Sequence, residues 1–227
     1  DSLTAVDLGS GAATAITTGD SHTCAILDNA SIKCWGFNAS GQLGLGDTST
    51  RGDGSGEMGD SLTAINLGPG RTATSITTGT GYTCVLLDDA SVKCWGKANY
   101  GQLGAGKVEE YNEPNESPID LGTGIKATAI ASGYFHTCAI LDNSSIKCWG
   151  LNDSGQLGIG NANNLQYLDL GSDVDLGAGR TARGIAAGDS HTCAMLDNAS
   201  IKCWGGNAFG QLGLGHTYNR GDNSSEM

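Results

Sequence analysis

The sequence predicts an all-β fold of β-propeller-type repeats, four blades of about four antiparallel strands each. Three observations carry this prediction. The stretch His22-Thr23-Cys24-Ala25-Ile26-Leu27, a polar tip, then Ser31-Ile32-Lys33-Cys34-Trp35-Gly36 recurs as Tyr82 to Gly96, His136 to Gly150 and His191 to Gly205. Counted at Cys24, Cys84, Cys138 and Cys193, the copies step by 60, 54 and 55 residues, a period that holds several short strands. Glycine supplies 37 of 227 residues with no collagen period, and proline only 3, as in a chain of many tight turns.

One unit is built in this order. Leu62 to Leu67 is a strand, closed by Gly68-Pro69-Gly70, and Ala73 to Thr78 is a second, stopped by Gly79. The recurrent hairpin supplies the third and fourth, around Tyr82–Leu87 and Ser91–Gly96, and Asn99-Tyr100-Gly101-Gln102-Leu103-Gly104 leads on. Four strands per unit is what a blade needs. With Cys24 opposite Cys34, Ala25 faces Lys33, Ile26 faces Ile32 and Leu27 faces Ser31. That leaves Asp28-Asn29-Ala30 as a three-residue loop, whose left-handed position suits Asn29. Cys24, Ile26, Ile32 and Cys34 then share one face, and Ala25, Leu27 and Trp35 the other. A ribbon apolar on both faces must be covered on both, as a blade is by its neighbours.

Eight cysteines form four equal pairs: Cys24 and Cys34, Cys84 and Cys94, Cys138 and Cys148, Cys193 and Cys203. A constant separation of ten fits a hairpin cross-link better than any metal-ligand or redox motif. Four disulfides predict a compartment outside the cytosol, extracellular or at the cell surface.

The blades are centred on 22–36, 82–96, 136–150 and 191–205, in one domain spanning 1–227. The connector Arg51-Gly52-Asp53-Gly54-Ser55-Gly56-Glu57-Met58 returns as Arg220-Gly221-Asp222-Asn223-Ser224-Ser225-Glu226-Met227, and Asp60-Ser61-Leu62-Thr63-Ala64, just after its first copy, matches Asp1-Ser2-Leu3-Thr4-Ala5 at the start of the chain. Residues 2–8 thus complete the repeat that 216–227 begins. Either the first strand closes a ring beside the last hairpin, or the chain is a window of a longer array.

With 24 acidic against 12 basic residues the net charge is -12, which disfavours nucleic acid and anionic membranes as partners. No apolar run approaches a membrane span, so no membrane insertion is expected.

The run Gly19-Asp20-Ser21-His22-Thr23-Cys24, with Cys34-Trp35-Gly36-Phe37-Asn38-Ala39-Ser40-Gly41-Gln42-Leu43-Gly44 beyond it, resembles the regulator of chromosome condensation repeat. The likeness recurs over Gly133 to Gly160 and Gly188 to Gly215, and is weaker over Gly79 to Gly106, where Tyr82 replaces His. The superfamily includes the β-lactamase inhibitor protein II. The resemblance implies a propeller, although the family's ring has seven blades and this chain four repeats. The paired-Cys version looks like extracellular repeat proteins, some of them mastigoneme-like surface filaments.

Each candidate site has a plain structural role as its rival. His22, His136 and His191 suit a hydrogen bond to a turn of their own blade better than a catalytic or metal ring. Trp35, Trp95, Trp149 and Trp204 suit blade interfaces. Asp47, Asp53, Glu57 and Asp60 are the candidate Ca²⁺ ligands, without the alternation of an EF-hand; otherwise no metal and no cofactor is expected. N-glycosylation sequons stand at Asn29, Asn38, Asn115, Asn143, Asn152, Asn198 and Asn223. No P-loop, nucleophile elbow or unpaired Cys offers catalysis.

The expectation is a non-enzymatic, extracellular structural protein, a disulfide-stapled and N-glycosylated building block of a surface appendage or filament. Its partners would be copies of itself, neighbouring repeats or other surface proteins. The alternative is a secreted binding module that grips a protein partner or inhibits an enzyme, with Phe37, Tyr100 and Phe209 gathered on one face.

Overall fold

The recurring hairpin around each Cys pair, apolar on both faces, builds the same small sheet four times. The computed structural model describes residues 3–106, 109–115, 117–165 and 172–226. Blade 1 contains β1 (Ala13–Thr18), β2 (His22–Leu27) and β3 (Ile32–Gly36). Blade 2 contains β4 (Ala73–Gly79), β5 (Tyr82–Leu87) and β6 (Val92–Gly96). Blade 3 contains β7 (Ala127–Ser132), β8 (His136–Leu141) and β9 (Ile146–Gly150), and blade 4 contains β10 (Ala182–Ala187), β11 (His191–Leu196) and β12 (Ile201–Gly205). Each blade is an antiparallel sheet with its strands in chain order.

The hairpin register is the one read from the sequence: Cys24 opposes Cys34, Ala25 opposes Lys33 and Ile26 opposes Ile32. The tip differs in one respect. The left-handed residue is Ala30, with φ 60°, not Asn29, and Ala90, Ser144 and Ala199 repeat it. Asn29 instead holds the turn from its side chain, its Oδ1 accepting from the Ser31 amide at 3.0 Å and hydroxyl at 2.7 Å.

Each described blade has three strands rather than four. The expected first strand, Leu62 to Leu67, is an extended bridge between two blades. The Ile65 amide donates to the Ile32 carbonyl of blade 1 at 2.9 Å, while Lys93 of blade 2 donates to the Leu67 carbonyl at 3.2 Å. Ile119 and Val174 repeat the backward bond, to Val92 at 2.8 Å and Ile146 at 2.9 Å. One ladder bond to the preceding blade does not make a strand, yet it covers that blade's outer edge. Of the expected first strand 2–8 and the matching segment 216–227, Ser2 and Met227 lie outside the described residues.

The core lies between blades. Cys24, Ile26, Ile32 and Cys34 pack against Val85, Leu87 and Trp95 of blade 2. Equivalent clusters join blades 2 and 3 and blades 3 and 4. The described blades form an open arc, with no such cluster joining blade 4 to blade 1.

Candidate functional site

Each junction turns on one buried backbone carbonyl. The Gln42 carbonyl of blade 1 accepts from Trp95 Nε1 at 3.0 Å and from the Thr83 hydroxyl at 2.8 Å, both of blade 2. Gln102 takes Trp149 at 2.9 Å and Thr137 at 2.9 Å, and Gln156 takes Trp204 at 3.0 Å and Thr192 at 2.9 Å. Because Thr83 gives its proton to Gln42, it accepts from His22 Nε2, 2.9 Å away. This fixes the Nε2–H tautomer and leaves Nδ1 buried without a partner. His136 and Thr192 repeat the arrangement at 2.9 Å. His22 and His136 therefore bond across to the next blade, not to a turn of their own, because neighbouring hairpins lie within reach; His191, in the last described blade, is half-buried. Tyr82 makes the same crossing, its hydroxyl donating to the carbonyls of His136 at 2.5 Å and Gly133 at 3.3 Å.

Burial pushes His22 down to about 4, against the pull of Asp20, and His136 down to about 3, helped by His191. Both are neutral at physiological pH. Each threonine proton is committed to a carbonyl, so the His–Thr pairs hold no free nucleophile. Neither the threonines nor the glutamines were singled out from the sequence. Their signal was present: Thr precedes the first Cys, and Gln sits in the Gly-Gln-Leu-Gly tail, in every repeat.

The inner strands converge on a cleft of about 270 Å³, lined by all four blades. A Cβ on Gly79 would stand 2.4 Å from the Gly133 carbonyl, and one on Gly133 equally 2.4 Å from that of Gly188, so these positions admit only glycine. At the rim of the cleft the repeats stop being equal. Where blades 1 and 4 have Asp-Ser ahead of His, blade 3 has Tyr134-Phe135. Phe135 meets Tyr134 at 4.3 Å and Tyr100 at 4.8 Å between centroids, and Lys97 Nζ lies 4.9 Å over its ring. Tyr134 is 44% exposed and also lines the cleft. Of the aromatics expected to gather, only Tyr100 joins this cluster. Phe37 and Phe209 are exposed apart from it, without ring contacts among the described residues.

The four cysteine pairs are bonded, with sulfur separations of 2.01, 2.05, 2.06 and 2.10 Å. These four cross-links belong to an oxidising environment. No helix of the described residues is long and apolar enough to cross a membrane.

The four candidate Ca²⁺ ligands are not brought together. Asp47 pairs with Arg51 at 2.6 Å, and Glu57 accepts from the Gly52 and Gly54 amides at 2.8 and 2.9 Å. Asp60 accepts from the Ser10 amide at 2.9 Å, and Asp53 is exposed. The Gly54 and Gly52 amides hold the Glu57 carboxyl below its ordinary range. No group of three His, Cys, Asp or Glu among the described residues is placed to hold a metal ion.

The sequons separate into two kinds. Asn29, Asn143, Asn198 and Asn223 are exposed. Asn38 and Asn152 are fully buried latches. The amide of Asn38 donates to the carbonyls of Asp47 and Ser49, both at 3.0 Å, and its oxygen accepts from the Leu43 amide at 2.9 Å. A glycan at Asn38 or Asn152 is incompatible with this packing. Asn115 is also buried, and Glu116 in its sequon lies outside the described residues.

The family model of the regulator of chromosome condensation (RCC1) repeat matches residues 13–42, 73–102, 127–156 and 182–211, and a second model of the same repeat matches 89–140. The ultraviolet-B receptor UVR8 of Arabidopsis thaliana is 29% identical over 203 residues, covering 88% of this chain and 43% of the receptor. Human WBSCR16 superposes with a TM-score of 0.76 at 20% identity, over 92% of this chain and 52% of that one. Prp20p of Saccharomyces cerevisiae, described with its binding to Gsp1p and histones, gives 0.72 at 18% identity, over 95% and 50%. The chain spans about half, or less, of the length of each.

Proposed function

Since the chain belongs to the regulator of chromosome condensation repeat family, we propose that it is a non-catalytic protein-interaction module working outside the cytosol, a disulfide-stapled scaffold that presents a partner-binding face around the propeller axis. The observation that carries this reading is the cluster of Lys97, Tyr100, Tyr134 and Phe135. A repeat protein keeps its framework constant and places specificity where repeats differ. Here the difference is aromatic and cationic, partly exposed, and beside a cleft. Such side chains give large contact area at low entropic cost. The binding of protein partners by Prp20p supports the class of function, and the four disulfides support an extracellular or cell-surface location.

Affinity capture from the extracellular fraction of the native source tests it. The wild-type chain should retain a stoichiometric protein, and the double variant Tyr100→Ser with Tyr134→Ser should lose it while melting at the same temperature. Equal capture by both forms would overturn the assignment.

A further inference from the structure

The hairpin tips are where the repeats face outward as a set. Asn29, Asn143 and Asn198 hold one tip position in blades 1, 3 and 4, each followed two residues later by serine. All three are exposed. Blade 3 has a blade packed on either side, so the exposure of Asn143 belongs to the tip itself. Asn-x-Ser is the acceptor sequence for N-linked sugar.

What sets these tips apart from the buried sequons is the amide nitrogen, the atom that would carry the sugar. Asn38 spends both Nδ2 hydrogens on the Asp47 and Ser49 carbonyls, each at 3.0 Å. Asn152 spends both on the Asn161 and Asn163 carbonyls, at 2.7 and 3.0 Å. At the tips only Oδ1 is engaged. It accepts from the Ser145 amide at 3.0 Å and hydroxyl at 2.8 Å in blade 3, and from those of Ser200 at 3.1 and 2.7 Å in blade 4, as it does from Ser31 in blade 1. No protein group among the described residues accepts from Nδ2 of Asn29, Asn143 or Asn198. Blade 2 supplies the contrast. Asp89 keeps the acceptor, 2.6 Å from the Ser91 hydroxyl, but its other oxygen pairs with Arg71 at 2.9 Å. The tips also share one end of the blades. Thr18 pairs with Thr23 beside the cleft, and Ala13 with Leu27 beside the tip. In blade 3, Tyr134 and Phe135 precede β8 and Asn143 follows it, so six residues of strand, roughly 20 Å, separate the rim cluster from the tip.

We propose that Asn29, Asn143 and Asn198 carry N-linked glycans, which coat the tip end of the blades and leave the aromatic rim open. The sugar donor is a lipid-diphosphate-linked oligosaccharide of the secretory pathway. Nδ2 bonds to the anomeric carbon of the sugar. The bond from that carbon to the diphosphate oxygen breaks, its electron pair leaving with the lipid diphosphate, and one Nδ2 proton passes to solvent. Oδ1 keeps its two serine bonds throughout, so the modified tip needs no rearrangement. Asn38 and Asn152 stay unmodified in the folded protein, because their latches use both Nδ2 hydrogens. Asn223 lies on a connector rather than a tip and is outside the inference. The inference rests on the reading that the protein works outside the cytosol and is independent of the aromatic cluster.

Peptide mapping of the protein secreted by its native source, before and after peptide-N-glycosidase, tests it. The enzyme leaves aspartate where it removes a glycan. Positions 29, 143 and 198 should therefore read as aspartate after treatment, and positions 38 and 152 as asparagine. Two variants made through a eukaryotic secretory pathway extend the test. Asp89→Asn should gain one glycan, because it completes an Asn-Ala-Ser sequon on an equivalent tip. The triple variant Asn29→Asp, Asn143→Asp, Asn198→Asp should lose all three tip glycans and keep the wild-type circular dichroism, since Asp89 already holds such a tip. Unmodified tips on a secreted, disulfide-bonded chain, sugar on Asn38 or Asn152, or an Asp89→Asn protein with no added glycan would each overturn the inference and leave the extracellular reading standing. A chain confined to the cytosol would overturn both.

Discussion

Acidification should loosen the arc through two buried histidines, His22 and His136. Burial depresses His22 from 6.5 to about 4 and His136 from 6.5 to about 3. A depressed histidine is neutral in the fold, while the unfolded chain takes up a proton as pH falls through 6.5. Stability is therefore complete above that value and is lost as pH falls from it toward the folded values. Each side chain costs about 1.4 kcal/mol per pH unit in that window, so moving from about pH 7.5 to about pH 5 removes roughly 2 kcal/mol per histidine and about 4 in all. Asp47, Glu57 and Asp89 do not confuse the measurement. Hydrogen bonds and, for Asp47, Arg51 outweigh burial and keep these carboxyls below their usual range, so they stay ionised at pH 5.

Blade 2 supplies the control. There Tyr82 stands in the histidine position and reaches the next blade through its hydroxyl. The host geometry is equivalent, since a Cβ on Gly79 or on Gly133 would stand the same 2.4 Å from the carbonyl of the next blade. His136→Tyr should fold and lose only about 2 kcal/mol over the same pH step in urea denaturation, half the wild-type loss. An unchanged loss would refute the assignment of the acid response to these junction histidines.

Gly79→Ala should cost about 1–3 kcal/mol or more in urea denaturation, because its Cβ meets a backbone carbonyl and the side chain of Tyr82. Trp149→Phe should cost roughly 1–2 kcal/mol, by leaving a buried Gln102 carbonyl one donor short; a neutral result would make that bond dispensable. Asn29→Asp should leave the melting temperature unchanged, since Asp89 holds the equivalent tip at 2.6 Å from Ser91, whereas Asn29→Ala should cost about 1 kcal/mol. Adding Ca²⁺ or a chelator should not move the melting temperature, because Asp47 and Glu57 are already held by protein donors; a rise of several degrees with Ca²⁺ would disprove this.

What the sequence revealed was what lies within one repeat. Pairing Cys24 with Cys34 fixed the hairpin register, since a slip of one residue would turn Cys24 and Ile26 away from Cys34 and Ile32. The left-handed tip position was misplaced. Asn29 tolerates that conformation, but its side chain is better used as an acceptor for Ser31, and Ala30 takes the strain. The buried sequons looked like surface sites because an Asn in a glycine-rich tail is indistinguishable, by composition, from the latch that ties the Asp47 and Ser49 carbonyls to the blade. The rim cluster was half visible: Tyr100 stood out, but Tyr134 and Phe135 lie in another repeat and meet it only across a junction.

That pattern of success and failure has one physical origin. In an exact repeat, a contact within a unit and a contact to the next unit carry the same period, so periodicity cannot tell His22 bonding its own turn from His22 bonding Thr83. The distinction comes from the ends, where the two cases diverge. A self-contained blade would bury its hairpin equally in every copy. Instead Ile32, Val92 and Ile146 are sealed and Ile201 is not. The hairpin is therefore half of a joint rather than a finished core, and its disulfide fixes the shape of a surface made to be covered. Each internal blade is stabilised by the neighbour that comes after it.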